Sequence, residues 1–163
     1  MNLKKIICWP PLLAGIGAGV TITILGYITY ESFLSSTNYG LWLVASFGST
    51  VVVVFGYPNN EFAQPKNIFF GHLISILVGI FFNETIGLTF YSLGLSVGIA
   101  IILMVYFKVM HPPAASNPLV ALSMDLSFDF ILFPVVTGTI VIIIMSILIN
   151  RIILKRNYPT RWF

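Results

Sequence analysis

Residues 111–118 read His-Pro-Pro-Ala-Ala-Ser-Asn-Pro and stand between two long apolar runs. Prolines at this density break a helix, because proline lacks an N–H group and clashes with the preceding turn. Within a bilayer, irregular backbone persists only where protein or a water-filled cavity satisfies its polar groups. The octapeptide therefore predicts a helix break shielded by protein at membrane depth, and it is the first candidate for the functional site.

The rest of the chain has the composition of an integral membrane protein. Of its 163 residues, 58% are hydrophobic and 8% are charged, with a mean hydropathy of +0.98. Soluble domains carry about 25% charged residues. The length allows one domain of roughly five or six membrane elements at about 20 residues each. We therefore expect an all-α polytopic helix bundle that forms a single domain over residues 1–163, with the lipid bilayer as its main partner.

Six apolar runs mark the expected membrane elements. They cover residues 11–30, 41–57, 68–83, 88–107, 113–124 and 130–150. The fifth run is short, since twelve helical residues span about 18 Å of a hydrocarbon core of about 30 Å. The order long, short, long occurs twice, which favours an inverted repeat with halves 11–83 and 88–150.

The sequences of the two halves can also be aligned without a gap. Moving residues 45–83 by 67 positions brings them onto 112–150. Among the coinciding residues are Ser49 with Ser116, Gly71 with Gly138 and Asn83 with Asn150. Identities are few and apolar sequences match easily, so the repeat is a hypothesis.

The distribution of charge predicts the orientation. With a cytoplasmic N-terminus and six crossings, all eight Lys and Arg residues fall on the cytoplasmic side, whereas four of the five acidic residues fall outside. An excess of Lys and Arg in cytoplasmic loops is the recognised determinant of orientation. A run 113–124 that only dipped into the membrane would place the basic C-terminus outside. We therefore expect this run to cross, alone or with a neighbouring short element, and both termini to be cytoplasmic, in a bacterial inner membrane.

The start of the fifth run is a candidate anion site. Pro112 and Pro113 after His111 set a rigid helix start, and free N–H groups over Ala114 to Asn117 would point back toward the entrance. A helix N-terminus attracts anions, and the side chains of Ser116 and Asn117 could add donors. The alternative is that the prolines only end run 88–107 and that His111 lies among the headgroups.

A second candidate stretch is Ser46-Phe47-Gly48-Ser49-Thr50. Gly48 allows close backbone approach, and the hydroxyls of Ser46, Ser49 and Thr50 can line a polar path or bond back to their own helix. Helix packing with back-bonding is the plainer interpretation of these residues.

The histidines are the third candidate. His72 lies about one turn into the run 68–83, and an ionisable residue within a membrane helix is a functional hypothesis by default, although an interfacial histidine is unremarkable. His72 and His111 both lie near the cytoplasmic side, so they could approach one another and switch charge near neutral pH. Asp125 and Asp129, close to Asn117 in sequence, indicate either a metal or proton site or the solvated charges of an outer loop.

Several function classes find no support in the sequence. It has no Ser-His-Asp order, cysteine pair, phosphate loop or His-Glu-x-x-His motif, and two histidines with one cysteine argue against a catalytic metal. We expect neither an enzyme nor a cofactor. The net charge of +3 comes without a basic stripe, which argues against nucleic acid. Small residues at helix-packing spacing, such as Gly94 and Gly98, favour packing within the chain over a homo-oligomer interface.

Together these segments resemble the HPP family of integral membrane proteins. The resemblance covers nearly the whole chain and is carried by Ser46-Phe47-Gly48-Ser49, Phe55 to Pro58, Ala63-Gln64-Pro65-Lys66-Asn67, Gly71-His72, His111-Pro112-Pro113-Ala114, Asn150-Arg151, Tyr158-Pro159 and Arg161-Trp162. Two positions depart from the family pattern. Ala115 replaces a common glycine, which restricts backbone approach at the helix start, and Ser49 replaces an alanine.

Some members of that family, from plastids and cyanobacteria, are associated with nitrite transport. The resemblance therefore implies a small transporter or channel for a monovalent anion, nitrite first, whereas family members are often described with four crossings rather than six elements. A nitrite-like anion would bind near Ser46 to Thr50 and Ala114 to Asn117, and His72 or His111 would add charge when protonated. The alternative from another class is a non-transporting membrane scaffold or partner subunit.

Overall fold

The computed structural model describes residues 9–34 and 40–162, and this part is helical without a strand. Six α-helices follow in chain order: α1 (Trp9–Leu34), α2 (Gly40–Gly56), α3 (Pro65–Thr85), α4 (Phe90–Tyr106), α5 (Asn117–Ser123) and α6 (Thr137–Ile147). The predicted all-α bundle of long and short elements is confirmed. Lys4, Lys5 and Cys8 lie outside the described residues.

Within residues 9–34 and 40–162, three helical stretches are long and apolar enough to cross a membrane. They are Pro11–Ile28, Pro65–Thr85 and Ile131–Ile153. The third combines α6 with a π-helical turn on each side, and it is kinked at Phe133, whose backbone is extended ahead of Pro134. The apolar helices Ala45–Gly56 and Phe90–Tyr106 are shorter. The six-crossing topology stays a prediction.

The polarity of the bundle is the one expected in lipid. Large apolar side chains such as Val52, Phe81 and Ile102 are at least 60% exposed. Hydroxyl, imidazole and amide groups are instead buried between helices: those of Thr21, Ser46, Thr50, Gln64, His72, Ser75, Ser92, Ser96, His111, Asn117, Thr139, Ser146 and Asn150. Apolar groups gain from lipid contact, whereas polar groups need partners inside the protein.

The octapeptide forms a 3₁₀ turn over Pro112–Ser116 that leads into α5. The expected row of free N–H groups is wrong for two residues: Ala114 N–H donates to the carbonyl of His111, and Asn117 N–H donates to that of Ala114. Since neither proline has an N–H group, the first available one closes the tight turn. The helix start is therefore shorter than the sequence predicted, and more of its N–H groups are hydrogen-bonded within the turn.

Helix α3 lies against both α4 and the short element α5. A Cβ at Gly79 would come 2.7 Å from Cα of Pro118 and 2.8 Å from Cβ of Ala121. These distances are shorter than real side chains tolerate, so α5 approaches α3 this closely only because position 79 carries no side chain.

Contacts between the two proposed halves are reciprocal. Asn83, near the end of α3, donates to Asp125 just after α5, at 2.8 Å. Its counterpart Asn150 donates to the carbonyl of Val54 near the end of α2, at 3.4 Å. An inverted repeat would join the third helix of each half to the short helix of the other in this way. The repeat itself stays a prediction.

The C-terminal segment after Ile153 packs back onto the α2–α3 connection. The Tyr158 hydroxyl donates to the carbonyl of Ala63 at 2.7 Å and accepts from Ser146. Burial raises the pKa of Tyr158 to about 12. The Gln64 side-chain oxygen accepts from the backbone N–H groups of Thr160 and Arg161. This segment therefore holds the connection that leads into α3.

Candidate functional site

Four buried polar side chains from three parts of the chain form one connected cluster. Oγ1 of Thr50, on α2, lies 3.0 Å from Nε2 of His72 on α3 and 3.0 Å from Nε2 of His111. Nδ2 of Asn117, on α5, lies 3.0 Å from Nδ1 of His72. All four side chains have no exposed surface. We call Thr50, His72, His111 and Asn117 the imidazole cluster.

Backbone groups and one aromatic ring position the cluster. Nδ1 of His111 lies 2.7 Å from the carbonyl oxygen of Phe62, in the 3₁₀ turn Glu61–Ala63 before α3. The Phe47 ring meets the His72 ring edge-on, with centroids 5.3 Å apart. These contacts restrict the orientation of both rings, so the cluster is preorganised.

The structure separates the predicted residues of α2 into two groups. Ser46 and Thr50 are buried, four residues apart on one face of the helix, and Thr50 Oγ1 also lies 2.9 Å from the carbonyl oxygen of Ser46. Ser49 is exposed and bonds back to its own helix, at 3.5 Å from the carbonyl oxygen of Ala45, and Gly48 is half-buried. Within this stretch, Thr50 bonds to both histidines.

The octapeptide divides in the same way. His111 and Asn117 join the cluster, while Ser116 bonds within its own turn, to the carbonyl of Pro113. Pro113 and Ala114 are buried, whereas Pro112 is exposed. Asp125 bonds to Asn83 and Asp129 is exposed, so the contacts of these carboxylates lie outside the cluster. Among the described residues, no three His, Cys, Asp or Glu side chains group as a metal site would need.

Two contributors were missed from the sequence. Ser75 donates to the carbonyl of Ala114 and so ties the 3₁₀ turn to α3. Its spacing of four residues from both Gly71 and Gly79 is typical of helix packing and does not signal this bond. The carbonyl of Phe62 is a backbone group, and no side-chain pattern signals its role.

A cavity of about 230 Å³ opens beside the start of α3. It is lined by Glu61, Gln64, Lys66, Asn67, Lys108, Arg161 and Trp162. Three cationic side chains thus face one carboxylate. Asn67 joins the cavity to the imidazole cluster, because its amide donates to the carbonyl of Met110, the residue before His111, at 2.9 Å. We call this space the basic cavity.

Known proteins resemble this chain over most of its length. The family described as "HPP, transmembrane region" matches residues 5–159. The chain belongs to the HPP transmembrane family. Two transmembrane proteins of Dictyostelium discoideum are each 28% identical to this HPP protein, over 150 and 152 residues. The alignments cover 87% and 88% of this chain but 52% and 48% of those relatives, so the chain spans about half their length. No solved structure matches it.

Proposed function

We propose that this HPP protein moves a small monovalent anion, with nitrite as the first candidate, across a bacterial inner membrane, both of its termini being cytoplasmic. The observation that carries the proposal is the imidazole cluster, which forms where two longer helices meet a 3₁₀ turn and a short helix. Ionisable side chains are costly at membrane depth and mark substrate or ion pathways. Transporters commonly place such sites where helices are discontinuous.

The basic cavity supports an anion rather than a cation. Lys66, Lys108 and Arg161 line it together with the single carboxylate of Glu61. A concave mouth with an excess of one sign of charge raises the local concentration of the opposite ion. Six residues separate Lys66 from His72 along α3, which is about 9 Å of helix. The basic cavity is therefore suited to collect anions next to the imidazole cluster.

The chemistry of the cluster favours passage over tight retention. In the described part of the chain no Lys, Arg, Asp or Glu side chain bonds to it, so its interactions come from imidazole, hydroxyl and amide groups. Conduction requires binding that is favourable enough for entry and weak enough for release. A neutral polar site meets that requirement better than a buried fixed cation would.

Nitrite is the first candidate because of the family resemblance, and a direct assay tests it. The purified protein would be placed in liposomes and nitrite influx measured at external pH values from about 5 to 8, the range in which histidine changes charge. Influx above that of empty liposomes is expected, and competition by nitrate, formate and chloride ranks the selectivity. Influx equal to that of empty liposomes at every pH would overturn the proposal. A stoichiometric partner protein recovered in native lipids, with no ion flux, would instead favour a scaffold.

A further inference from the structure

The hydrogen bonds of the imidazole cluster define which ring nitrogens carry hydrogen. Nδ1 of His111 faces the carbonyl oxygen of Phe62, and since a carbonyl only accepts, this nitrogen carries the hydrogen. Nε2 of neutral His111 is then an acceptor, and the Thr50 hydroxyl donates to it. The hydroxyl oxygen accepts from Nε2–H of His72, whose Nδ1 accepts from the Asn117 amide. In the neutral cluster each group therefore donates to the next, in the order Asn117, His72, Thr50, His111 and the Phe62 carbonyl.

A second complete arrangement exists with one more proton. A proton added to the Nε2 lone pair of His111 forms an N–H bond that donates to the Thr50 oxygen. The Thr50 hydroxyl then turns its hydrogen to the carbonyl oxygen of Ser46, 2.9 Å away. The oxygen now accepts from both rings and donates once, which is the full capacity of a hydroxyl. The two arrangements differ by one proton and one hydroxyl rotation.

A second proton on the cluster is disfavoured by charge repulsion. The remaining bare ring nitrogen, Nδ1 of His72, faces Nδ2 of Asn117, which also donates to the His72 carbonyl at 3.3 Å. Two charged rings would have centroids 5.1 Å apart, and like charges this close disfavour joint ionisation. Neither ring bonds to a Lys, Arg, Asp or Glu among the described residues. Of the charged side chains on the adjoining segments, Glu61, Lys66, Lys108 and Arg161 line the basic cavity. Arg156 donates to the carbonyl of Phe55 on α2, and Glu84 and Asp125 lie at the opposite end of α3, where Asp125 accepts from Asn83.

One atom of the cluster indicates that the transported species brings a hydrogen with it. Oδ1 of Asn117 is buried and has no hydrogen-bond partner in the described part of the structure. A buried acceptor without a donor is costly. A bare anion is also an acceptor and cannot satisfy it, whereas the protonated form of a small oxyanion can donate to it through its O–H group.

Building on the transport function proposed above, we infer that each anion crosses with one proton, which the imidazole cluster takes up on Nε2 of His111. In the occupied site the proton lies either on His111, paired with the anion, or on the anion itself, which then donates to Oδ1 of Asn117. Both forms hold one anion and one proton and carry no net charge. Transport is therefore electroneutral, and the membrane potential does not drive it.

Liposomes loaded with a pH-sensitive dye test the inference. Nitrite influx and internal acidification are recorded together while potassium and valinomycin set the membrane potential. We expect one proton per nitrite above the background of empty liposomes, and equal rates at positive and negative potential. Thr50→Ser keeps the hydroxyl and should retain this coupling. Thr50→Val keeps the shape without the hydroxyl and should lower influx by about tenfold or more, the scale of one buried hydrogen bond.

The result that would overturn the inference is protein-dependent nitrite influx that follows the potential without acidification. Equal transport by Thr50→Ser and Thr50→Val would overturn it as well. If wild-type protein moves no nitrite, the proposed function fails, and ¹⁵N spectra of the histidine rings test the one-proton cluster separately. They should show hydrogen on Nδ1 of His111 and on Nε2 of His72 when both are neutral, and His111 gaining a proton on Nε2 on acidification. Protonation of His72 instead would contradict the assignment. Three results would contradict the one-proton cluster. They are the same tautomer for both neutral rings, protonation of both rings at the same pH, and a water that donates to Oδ1 of Asn117 while neither ring titrates.

Discussion

The backbone of Gly71 lies directly against Cβ of His111, so that a methyl group on Gly71 would come 2.6 Å from that atom. The same methyl would come 3.1 Å from the carbonyl oxygen of Val109. The close approach allows the imidazole to reach Thr50 between α2 and α3. A glycine without a side chain thus sets the position of one ring of the imidazole cluster.

Gly71→Ala should displace His111 from Thr50 and lower nitrite influx by about tenfold, because buried overpacking that shifts the backbone costs about 1–3 kcal/mol. The measurement is initial influx into liposomes at equal protein content. Gly94→Ala is the matched control, since a Cβ there meets nothing within 4 Å and the position is exposed. Equal loss in both variants would show that the Gly71–His111 contact is not the cause.

Removing charge from the basic cavity should slow anion entry. The double variant Lys66→Gln, Lys108→Gln is expected to lower influx at low nitrite by up to about tenfold, with a weaker dependence on ionic strength because the screened attraction is gone. Influx at saturating nitrite should change little. Lys155→Gln alters a basic residue that does not line the cavity, and the cavity would lose its proposed role if this control had the same effect.

Tyr158→Phe should lower the free energy of unfolding by about 1–3 kcal/mol, because the Ala63 carbonyl loses its buried donor. Thermal unfolding in detergent measures the difference, with Tyr57→Phe, at a position 69% exposed, as the control. Since burial raises the pKa of Tyr158 to about 12, the stabilisation should be fully present below the ordinary tyrosine pKa of about 10. It should be lost as the pH rises through about 12. Equal melting temperatures for the two variants would contradict this role.

The orientation can be tested with single cysteines in a Cys8→Ser background. A membrane-impermeant maleimide applied outside intact cells should label Ser127→Cys, after α5, and should leave Asn157→Cys unlabelled until the membrane is opened. Labelling of both positions from outside would mean that the stretch Ile131–Ile153, which lies between them, does not cross. If instead the segment containing α5 does not cross, Ser127→Cys should stay unlabelled and Asn157→Cys should be labelled from outside. That second pattern would place the C-terminus outside and contradict the charge rule.

The long elements were predictable because apolar length and helix breakers define them. The run 68–83 corresponds to α3, Pro65–Thr85, and the octapeptide marks the 3₁₀ turn that precedes the short helix α5. The proximity of His72 and His111 was also expected, since both were assigned to the cytoplasmic side.

The connections within the cluster were not predictable to the same extent. Thr50 and Ser49 are neighbours of similar chemistry in the sequence, and only the packed rotation of α2 turns one inward and the other outward. The Phe62 carbonyl has no side-chain signature. The sequence predicts free N–H groups over Ala114 to Asn117, but the 3₁₀ turn pairs those of Ala114 and Asn117 with backbone carbonyls. These features depend on how separate elements pack against one another. A local sequence pattern carries no information about that packing.

The most direct test of the account is nitrite influx through wild-type protein beside the double variant His72→Gln, His111→Gln, each in liposomes and each confirmed to be folded and monodisperse. The account predicts that wild-type protein exceeds empty liposomes and that the double variant falls to their rate. Transport by the double variant as fast as by wild-type protein would contradict the account, since the anion would then cross without the imidazole cluster.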